Sequence, residues 1–259
     1  MESIIESKKI FDDADFFIFL KKKNKLVPIN NNPYFEIDDL TEISEQKKVV
    51  VDNTLSFIEN KPSSNILLWG SKGMGKSTLV KSVVSHVNKN TNNKLKLIEV
   101  LNNDVGSLAE IIYELSQIRT KFIIFIDDIS FRKNENDFRL FKSLVEGSLL
   151  SNIKNVRYYV TSNLRHLSHR GNSPDLNDIE EKEISQNLLS LSDRFGCWVG
   201  FFDSNKEQYL RMVKFYYKKL SLNFSNKDEK HALEWSINKG SFSGRTAYQF
   251  ANIIKIKNS

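Results

Sequence analysis

The sequence feature that most constrains the fold is a glycine-rich run that ends in lysine and serine. The pattern G-x-x-x-x-G-K-[ST] is matched at every fixed position by Gly70-Ser71-Lys72-Gly73-Met74-Gly75-Lys76-Ser77. The run follows the apolar segment Ile66 to Trp69 and precedes an amphipathic helix that we predict from Lys76 to Val87. Between a strand and a helix this pattern forms a phosphate-binding loop. We therefore expect a nucleotide-binding α/β domain.

Each residue type in this loop has a chemical reason. Glycines adopt positive φ and let backbone N–H groups surround phosphates, and the following helix directs its N-terminal N–H groups at the same anion. Lys76 would place its charge on the β- and γ-phosphates, and the Ser77 hydroxyl can ligate Mg²⁺. We expect ATP and Mg²⁺ as cofactors, with the nucleotide contacted by Gly70, Ser71, Lys72, Gly73, Met74, Gly75, Lys76, Ser77 and Thr78.

A second part of the same site follows the apolar run Phe122 to Ile126, which ends in Asp127-Asp128. A buried parallel strand that ends in acidic residues presents carboxylates at the carboxyl edge of the sheet, where open α/β folds bind ligands. Mg²⁺ prefers oxygen ligands, so we assign Asp127 to the metal together with Ser77. Asp128 is the candidate that orients the water attacking the γ-phosphate.

The order of elements predicts an α/β fold. Short apolar runs alternate with helical patterns from Asn65 onward, and alternation of this kind indicates a mainly parallel sheet with helices on both faces. Predicted strands lie at 66–69, 95–101, 122–126, 156–161 and 198–202. Only helical patterns follow Asp203. We divide the chain into an N-terminal extension (1–44), a nucleotide-binding α/β domain (45–203) and a small helical domain (204–259), with an aperiodic polar insertion from Arg165 to Glu183.

The fourth predicted strand leads into Thr161-Ser162-Asn163. If this strand lies beside the first, Asn163 stands next to the phosphate loop, where its amide could hold the attacking water or the γ-phosphate. From the residues alone, an asparagine after a strand is usually an ordinary turn residue. A catalytic role for Asn163 therefore depends on the resemblance described next.

With these motifs in place, the chain resembles the AAA+ ATPase superfamily, and within it an uncharacterised bacterial group known as domain of unknown function 815. The resemblance rests on residues 65–81, 125–131, 159–167, 189–202 and 240–250. It implies a five-stranded sheet in the order 5-1-4-3-2, an all-helical C-terminal lid, and ATP hydrolysis. That order would place the Asn163 strand between the strands of the phosphate loop and Asp127.

The resemblance also implies roles for two arginines. Arg194, before the fifth strand, occupies the place of a trans-acting arginine that would contact the γ-phosphate of a neighbouring subunit, and so implies a nucleotide-dependent homo-oligomer. The alternative is an arginine–carboxylate pair that fixes the turn. Arg245 opens the last helix, as the lid arginine does, and would contact the nucleotide. Asp128 departs from the superfamily, where glutamate is usual, and its shorter side chain places fast hydrolysis in doubt.

Composition restricts the partners less than the motifs do. The chain has 38 Lys and Arg against 32 Asp and Glu, a net charge of +6, which supports nucleic-acid binding only weakly. No apolar run approaches the roughly 20 residues needed to cross a bilayer, and the single cysteine, Cys197, favours a cytoplasmic protein without membrane contact. Three functions remain open: an ATPase acting on an unknown protein partner, a nucleotide-gated scaffold, and a small-molecule kinase.

Overall fold

In a computed structural model, the described part of the chain comprises residues 3–5, 7–30, 36–91, 94–129, 135–145, 147–163 and 194–257. Its strands form one seven-stranded sheet. They are β1 (Phe16–Leu20), β2 (Lys25–Pro28), β3 (Ile66–Gly70), β4 (Leu95–Glu99), β5 (Lys121–Ile126), β6 (Val156–Ser162) and β7 (Cys197–Phe201). Its α-helices are α1 (Ile10–Asp13), α2 (Ser44–Ile58), α3 (Lys76–Asn90), α4 (Leu108–Ser116), α5 (Glu135–Val145), α6 (Lys206–Lys219), α7 (Asn226–Asn238) and α8 (Gly244–Lys257). The predicted insertion lies outside the described residues.

The strands run in the order β2-β1-β4-β5-β6-β3-β7 across the sheet. All neighbouring strands are parallel except β1 and β2, which pair antiparallel. The prediction of five strands was wrong, because residues assigned to an N-terminal extension contribute β1 and β2 to the same sheet. The other five strands lie side by side in the order β4-β5-β6-β3-β7. The proposed domain boundaries remain a prediction.

Continuous apolar strands are explained by burial on both faces of the sheet. Every side chain from Phe122 to Ile126 is fully buried. Ile123 and Phe125 belong to one buried cluster with residues of α2, α3 and the C-terminal helices, whereas Phe122 and Ile124 belong to another with residues of α4 and α5. Helices therefore cover both faces, as predicted. None of the described helices has the length and apolarity needed to span a membrane.

The C-terminal helices pack on one another through aromatic residues of α6. Tyr209 and Tyr217 are almost completely buried, and the Tyr209 hydroxyl donates to the Ala232 carbonyl of α7 at 3.1 Å. Tyr217 also stacks on Phe250 of α8, with ring centroids 6.0 Å apart. The three helices and the face of the sheet that carries α2 and α3 share one buried cluster.

The N-terminal segment is attached to the parallel sheet through a buried lysine. Lys96 of β4 is 1% exposed, and its Nζ donates to the Ala14 carbonyl and to Asp15 Oδ1, each at 2.7 Å. The Leu97 N–H donates to the Asp15 carbonyl at 2.8 Å, where β1 joins β4. A charged lysine is tolerated in this position because polar oxygens surround its ammonium group.

Lys96→Met should lower the free energy of unfolding by about 1–3 kcal/mol, because the Ala14 carbonyl loses its buried donor. Asp15 is 40% exposed and can be rehydrated, which limits the loss. Urea denaturation followed by circular dichroism measures the change. Lys94→Met, a change at an exposed neighbouring lysine, is the matched control and should stay within about 0.5 kcal/mol of wild type. Equal stabilities of the two variants would contradict the role of Lys96.

Candidate functional site

The parallel arrangement brings three chain segments to one edge of the sheet. The glycine-rich loop follows β3, Asp127 and Asp128 follow β5, and Asn163 follows β6. β6 pairs with both β3 and β5, so the carboxyl ends of the three strands lie side by side. Polar groups that are distant in sequence thereby meet where open α/β sheets bind ligands.

The glycine-rich loop has the conformation that its glycines predict. Gly70, Gly73 and Gly75 have φ values of 114°, 82° and 93°. A Cβ atom at Gly70 would lie 2.0 Å from the Phe201 carbonyl oxygen of β7, so no side chain fits there. The next N–H group, that of Ser71, donates to the same oxygen at 2.7 Å. The start of the loop is thus held against β7, and the rest is left to surround a ligand.

Lys76 is buried at the centre of the site. Its Nζ donates to the carbonyls of Gly70 and Ser71 at 2.7 and 2.8 Å, and the residue is 5% exposed. Burial lowers the pKa of Lys76 to about 8, and the carboxylates of Asp128 and Asp127 oppose that change. The lysine therefore carries a charge that its surroundings only partly compensate, and added negative charge would stabilise it.

The acidic residues are connected by a threonine that our sequence reasoning did not select. Asp127 Oδ1 accepts from the Ser77 hydroxyl at 2.5 Å and from the Thr161 hydroxyl at 2.6 Å. Thr161 Oγ1 in turn accepts from the Asp128 N–H at 2.8 Å. Asp128 has φ of 52°, a left-handed conformation that is uncommon outside glycine and that clusters at functional sites. The polar residues that end the apolar β6 run were the available signal for Thr161.

The oxygen atoms here suit a hard divalent cation. The Ser77 hydroxyl and the Asp127 carboxylate already lie within hydrogen-bonding distance of each other. Among the described residues no group of three His, Cys, Asp or Glu side chains could hold a metal alone. A Mg²⁺ ion held by Ser77 and Asp127 would take its other ligands from water and from phosphates of a bound ligand, which is how Mg²⁺ is usually bound.

These residues line one cavity of about 390 Å³ between the sheet and the C-terminal helices. It includes most of the predicted residues: Lys72, Gly73, Met74, Gly75, Lys76, Ser77, Thr78, Asp127, Asp128, Asn163 and Arg245. Gly70 and Ser71 do not line it, because they contact β7 and the Lys76 ammonium. Seven residues that sequence reasoning missed also line it, and most of them are apolar or aromatic: Leu40, Thr41, Ile43, Met212, Tyr216, Gly244 and Tyr248.

The last helix, α8, contacts the glycine-rich loop directly. The Arg245 N–H, in the first turn of α8, donates to the Gly73 carbonyl at 3.1 Å. A Cβ atom at Gly73 would lie 2.8 Å from Ser243 Oγ, so the second glycine permits this approach. The positive charge of Arg245 also lowers the pKa of Lys76, which places the two cations in one electrostatic environment.

The segment before α2, residues 36–43, joins the cavity to the C-terminal helices, and we call it the connecting segment. Glu42 receives a bidentate pair of hydrogen bonds from the Arg211 guanidinium of α6, both at 2.8 Å. These bonds hold the pKa of Glu42 below its usual value. Asp39 accepts from Lys219, also in α6, and the Tyr216 hydroxyl donates to the Asp39 carbonyl at 3.4 Å. Movement of α6 would therefore move this wall of the cavity.

Arg194 is not part of this cavity. It lies just before β7, at the amino end of a strand that runs parallel to β3. It lines a separate cavity with residues such as Ser63 and Arg157, which lie at the amino ends of β3 and β6. The amino edge of the sheet is opposite the loop, so Arg194 is remote from Lys76 in the same chain.

Comparison of the sequence with models of protein families shows which family the chain belongs to. A model of the family described as "Protein of unknown function (DUF815)" matches residues 12–258, almost the whole chain. The chain belongs to the DUF815 family. The resemblance to this group is confirmed. No curated protein sequence matches the chain.

The fold of this DUF815 protein is similar to that of AAA+ P-loop ATPases. A RuvB variant of Thermotoga maritima has a TM-score of 0.55 at 16% identity, over 84% of this chain and 63% of RuvB. The replication initiator DnaA bound to AMPPCP and single-stranded DNA scores 0.57 at 16%, over 88% and 66%. Aeropyrum pernix ORC1 in complex with DNA scores 0.59 at 13%, over 85% and 63%. The chain spans less than two-thirds of each protein, and identities this low show the fold alone.

Lys76 should make the stability of the DUF815 protein depend on pH. Burial lowers the pKa of Lys76 to about 8 in the folded state, against 10.5 for an ordinary lysine side chain. The unfolded chain therefore binds a proton that the folded chain releases between these values, and folding becomes more favourable as pH rises through this range.

Lys76→Met removes this contribution. Between pH 7.5 and 9.5 the free energy of unfolding of wild type should rise by about 1–2 kcal/mol relative to that of the variant. Urea denaturation at both pH values measures the difference. Lys48→Met, at an exposed lysine of α2, serves as control and should follow wild type. Parallel pH profiles of wild type and Lys76→Met would contradict the assignment.

Proposed function

We propose that this protein is a Mg²⁺-dependent ATPase of AAA+ type, in which ATP binding and hydrolysis move the C-terminal helices against the sheet. The observation that carries the proposal is a single cavity lined by the loop lysine, by Asp127 and Asp128, and by residues of α6 and α8 such as Met212 and Arg245. A ligand in this cavity would contact both the sheet side of the site and the C-terminal helices. Its binding and its cleavage would therefore change the interactions between the helices and the sheet.

The loop and Lys76 would bind the triphosphate. The Lys76 ammonium now donates to two loop carbonyls, and phosphate oxygens are stronger acceptors for the same donors. Negative charge from the phosphates would raise the pKa of Lys76 toward its ordinary value and keep it protonated. Ser77 and Asp127 would hold Mg²⁺, which supplies charge neutralisation on the phosphate oxygens.

Asp128 would act as the water-orienting carboxylate, with Asn163 as a second polar group beside the γ-phosphate. The left-handed φ of Asp128 and its N–H bond to Thr161 hold the backbone from which its short side chain extends. A shorter carboxylate than glutamate reaches less far from the strand end, so slow turnover is the natural consequence. With very slow turnover the protein would act as a nucleotide-gated scaffold, the second function that the site supports.

The solved relatives indicate partner classes without naming a partner. The DnaA structure contains the ATP analogue AMPPCP and single-stranded DNA, and the ORC1 structure contains DNA. ATP binding agrees with the loop, whereas nucleic acid has only the weak support of a net charge of +6. We propose ATP and an unknown protein partner, with nucleic acid as a further possibility to be tested by adding DNA to the assay below.

A nucleotide-binding and phosphate-release experiment tests this function. Lys76→Ala should lose ATP binding by at least about tenfold, because the buried cation is removed. Asp128→Asn should bind ATP with near wild-type affinity and release phosphate at least about tenfold more slowly. Asp52→Asn, at an exposed carboxylate of α2, controls for a general charge change and should match wild type.

Other outcomes decide between the two functions. ATP binding that depends on Lys76, together with no measurable phosphate release with or without DNA, would support the scaffold over the ATPase. ATP binding that is unchanged in Lys76→Ala would reject both.

Arg194 is proposed to act on a neighbouring subunit, because in its own chain it lies at the edge of the sheet opposite the loop. We expect ATP to increase the sedimentation mass. The Arg194→Ala and Lys76→Ala variants should each be inactive alone and should recover part of the activity when they are mixed. In mixed oligomers, the intact loop of an Arg194→Ala subunit can face the intact arginine of a Lys76→Ala subunit. Arg119→Ala, at an exposed arginine, should keep full activity. A monomer with ATP and full activity would remove this role.

A further inference from the structure

A second cavity lies at the edge of the sheet opposite the glycine-rich loop, and we call it the amino-edge cavity. Its volume is about 360 Å³, within the range of about 300–1,000 Å³ that is typical of ligand pockets. Among the described side chains that line it, none is acidic and three are cationic: Lys154, Arg157 and Arg194. A cavity that concentrates positive charge in this way favours an anion.

Arg157, at the start of β6, has a guanidinium group that the protein satisfies only in part. Its Nε donates to the Ser63 hydroxyl at 3.2 Å, and its Nη1 donates to the Val156 carbonyl at 2.8 Å. Its guanidinium carbon lies 4.9 Å from the centroid of the Phe57 ring. A guanidinium has five N–H groups, and no carboxylate of the described residues forms an ion pair with this one. Arg157 therefore offers both charge and hydrogen-bond donors to a ligand.

Other side chains in the wall of the amino-edge cavity also offer donors. The Ser63 oxygen accepts from Arg157, which leaves the Ser63 proton to be donated. Asn65 Oδ1 accepts from the Tyr158 N–H at 3.0 Å, which leaves the amino group of the same side chain. Neither donor meets an acceptor among the described residues. The ligand group that matches several donors and a positive charge is an anion with several acceptor oxygens.

The charge of Arg157 also acts on a neighbouring cation. Lys121, at the start of β5, donates to the Lys154 carbonyl at 3.1 Å, and its Nζ lies 4.8 Å from the same Phe57 ring. Burial and the charge of Arg157 lower the pKa of Lys121, and burial lowers the pKa of Arg157. A bound anion would offset both the repulsion between these cations and the lost hydration of Arg157.

We propose that the amino-edge cavity is a phosphate-binding site, separate from the nucleotide cavity, with Arg157 as its principal donor and Ser63 and Asn65 as further donors. The guanidinium fork matches phosphate oxygens better than a point charge does. The phosphate group is either free, as inorganic phosphate or a small ester, or part of a nucleic acid. The site does not depend on the proposed ATPase function, because it lies at the opposite edge of the sheet.

The experiment follows the melting temperature while inorganic phosphate replaces chloride at constant ionic strength. Every protein carries Lys76→Ala, which removes the lysine of the glycine-rich loop. Phosphate should raise the melting temperature of this parent protein, since a ligand that binds the folded state stabilises it. With Arg157→Met, the same rise should need at least about tenfold more phosphate. Arg157→Lys should lie between the two, because it keeps the charge and loses the fork.

Two further variants separate phosphate contact from folding. Arg119→Met, at an exposed arginine outside the cavity, is the matched control and should respond to phosphate as the parent does. Ser63→Ala keeps the contact of Arg157 with Phe57 and tests the site even if Arg157→Met does not fold. It should need about threefold to tenfold more phosphate, the effect of one hydrogen bond.

A single-stranded oligonucleotide of about ten nucleotides distinguishes the two sources of phosphate. If the oligonucleotide binds the parent, competes with phosphate and binds Arg157→Met more weakly, the site takes nucleic-acid phosphates. If phosphate acts through Arg157 and the oligonucleotide does not compete, the site takes a free phosphate or a small phosphate ester. Both results support the amino-edge site.

Two other results would overturn the inference. One is a phosphate response that Arg157→Met and Ser63→Ala leave unchanged. The other is a response that wild type shows and the Lys76→Ala parent lacks, because phosphate then binds only at the glycine-rich loop. That second result would leave the proposed function standing, so the two proposals fail separately.

Discussion

The parallel alignment of β3, β5, β6 and β7 is the constraint on which the rest of the site depends. Each strand ends at a fixed height set by backbone pairing, as in the register Leu68 with Thr161 and Phe125 with Tyr159. The side chains that follow the carboxyl ends of these strands therefore lie close together. The Ser77–Asp127–Thr161 contacts join three separate parts of the sequence because the sheet brings them to one edge.

Lys76 is the most costly consequence of this arrangement. Because Lys76 is only 5% exposed, its ammonium group loses most of its hydration, and the two loop carbonyls and the nearby carboxylates replace only part of that hydration. A polyanionic ligand would compensate for the lost hydration of Lys76, and this is the physical reason for proposing that the site binds phosphates. The strained backbone of Asp128 is a second local cost, and it lies on the residue proposed to orient water.

The connecting segment joins the cavity to the C-terminal helices. Asp39 and Glu42 contact α6, whereas Leu40, Thr41 and Ile43 line the cavity, so residues of one short segment face both ways. Together with the Arg245 contact to the Gly73 carbonyl, this links the C-terminal helices to two parts of the cavity wall, the glycine-rich loop and the connecting segment. Coupling between ligand and helices thus needs no contact beyond those already present.

The sequence by itself determined the phosphate loop, the acidic strand end and the α/β class, because these depend on local glycine chemistry and on continuous apolar runs. It did not reveal that Phe16 to Leu20 enters the sheet, since a short strand flanked by charged residues shows no local sign of its partner β4. Residue type alone also does not reveal that Trp198 is 41% exposed, because that follows from the position of β7 at the edge of the sheet. Thr41, Tyr216 and Tyr248 became part of the site only through packing between distant helices. The loop and the acidic strand end depend on residues that are adjacent in sequence, so a local pattern reveals them. The apolar wall of the cavity is formed by tertiary contacts between distant segments, which no local spacing predicts.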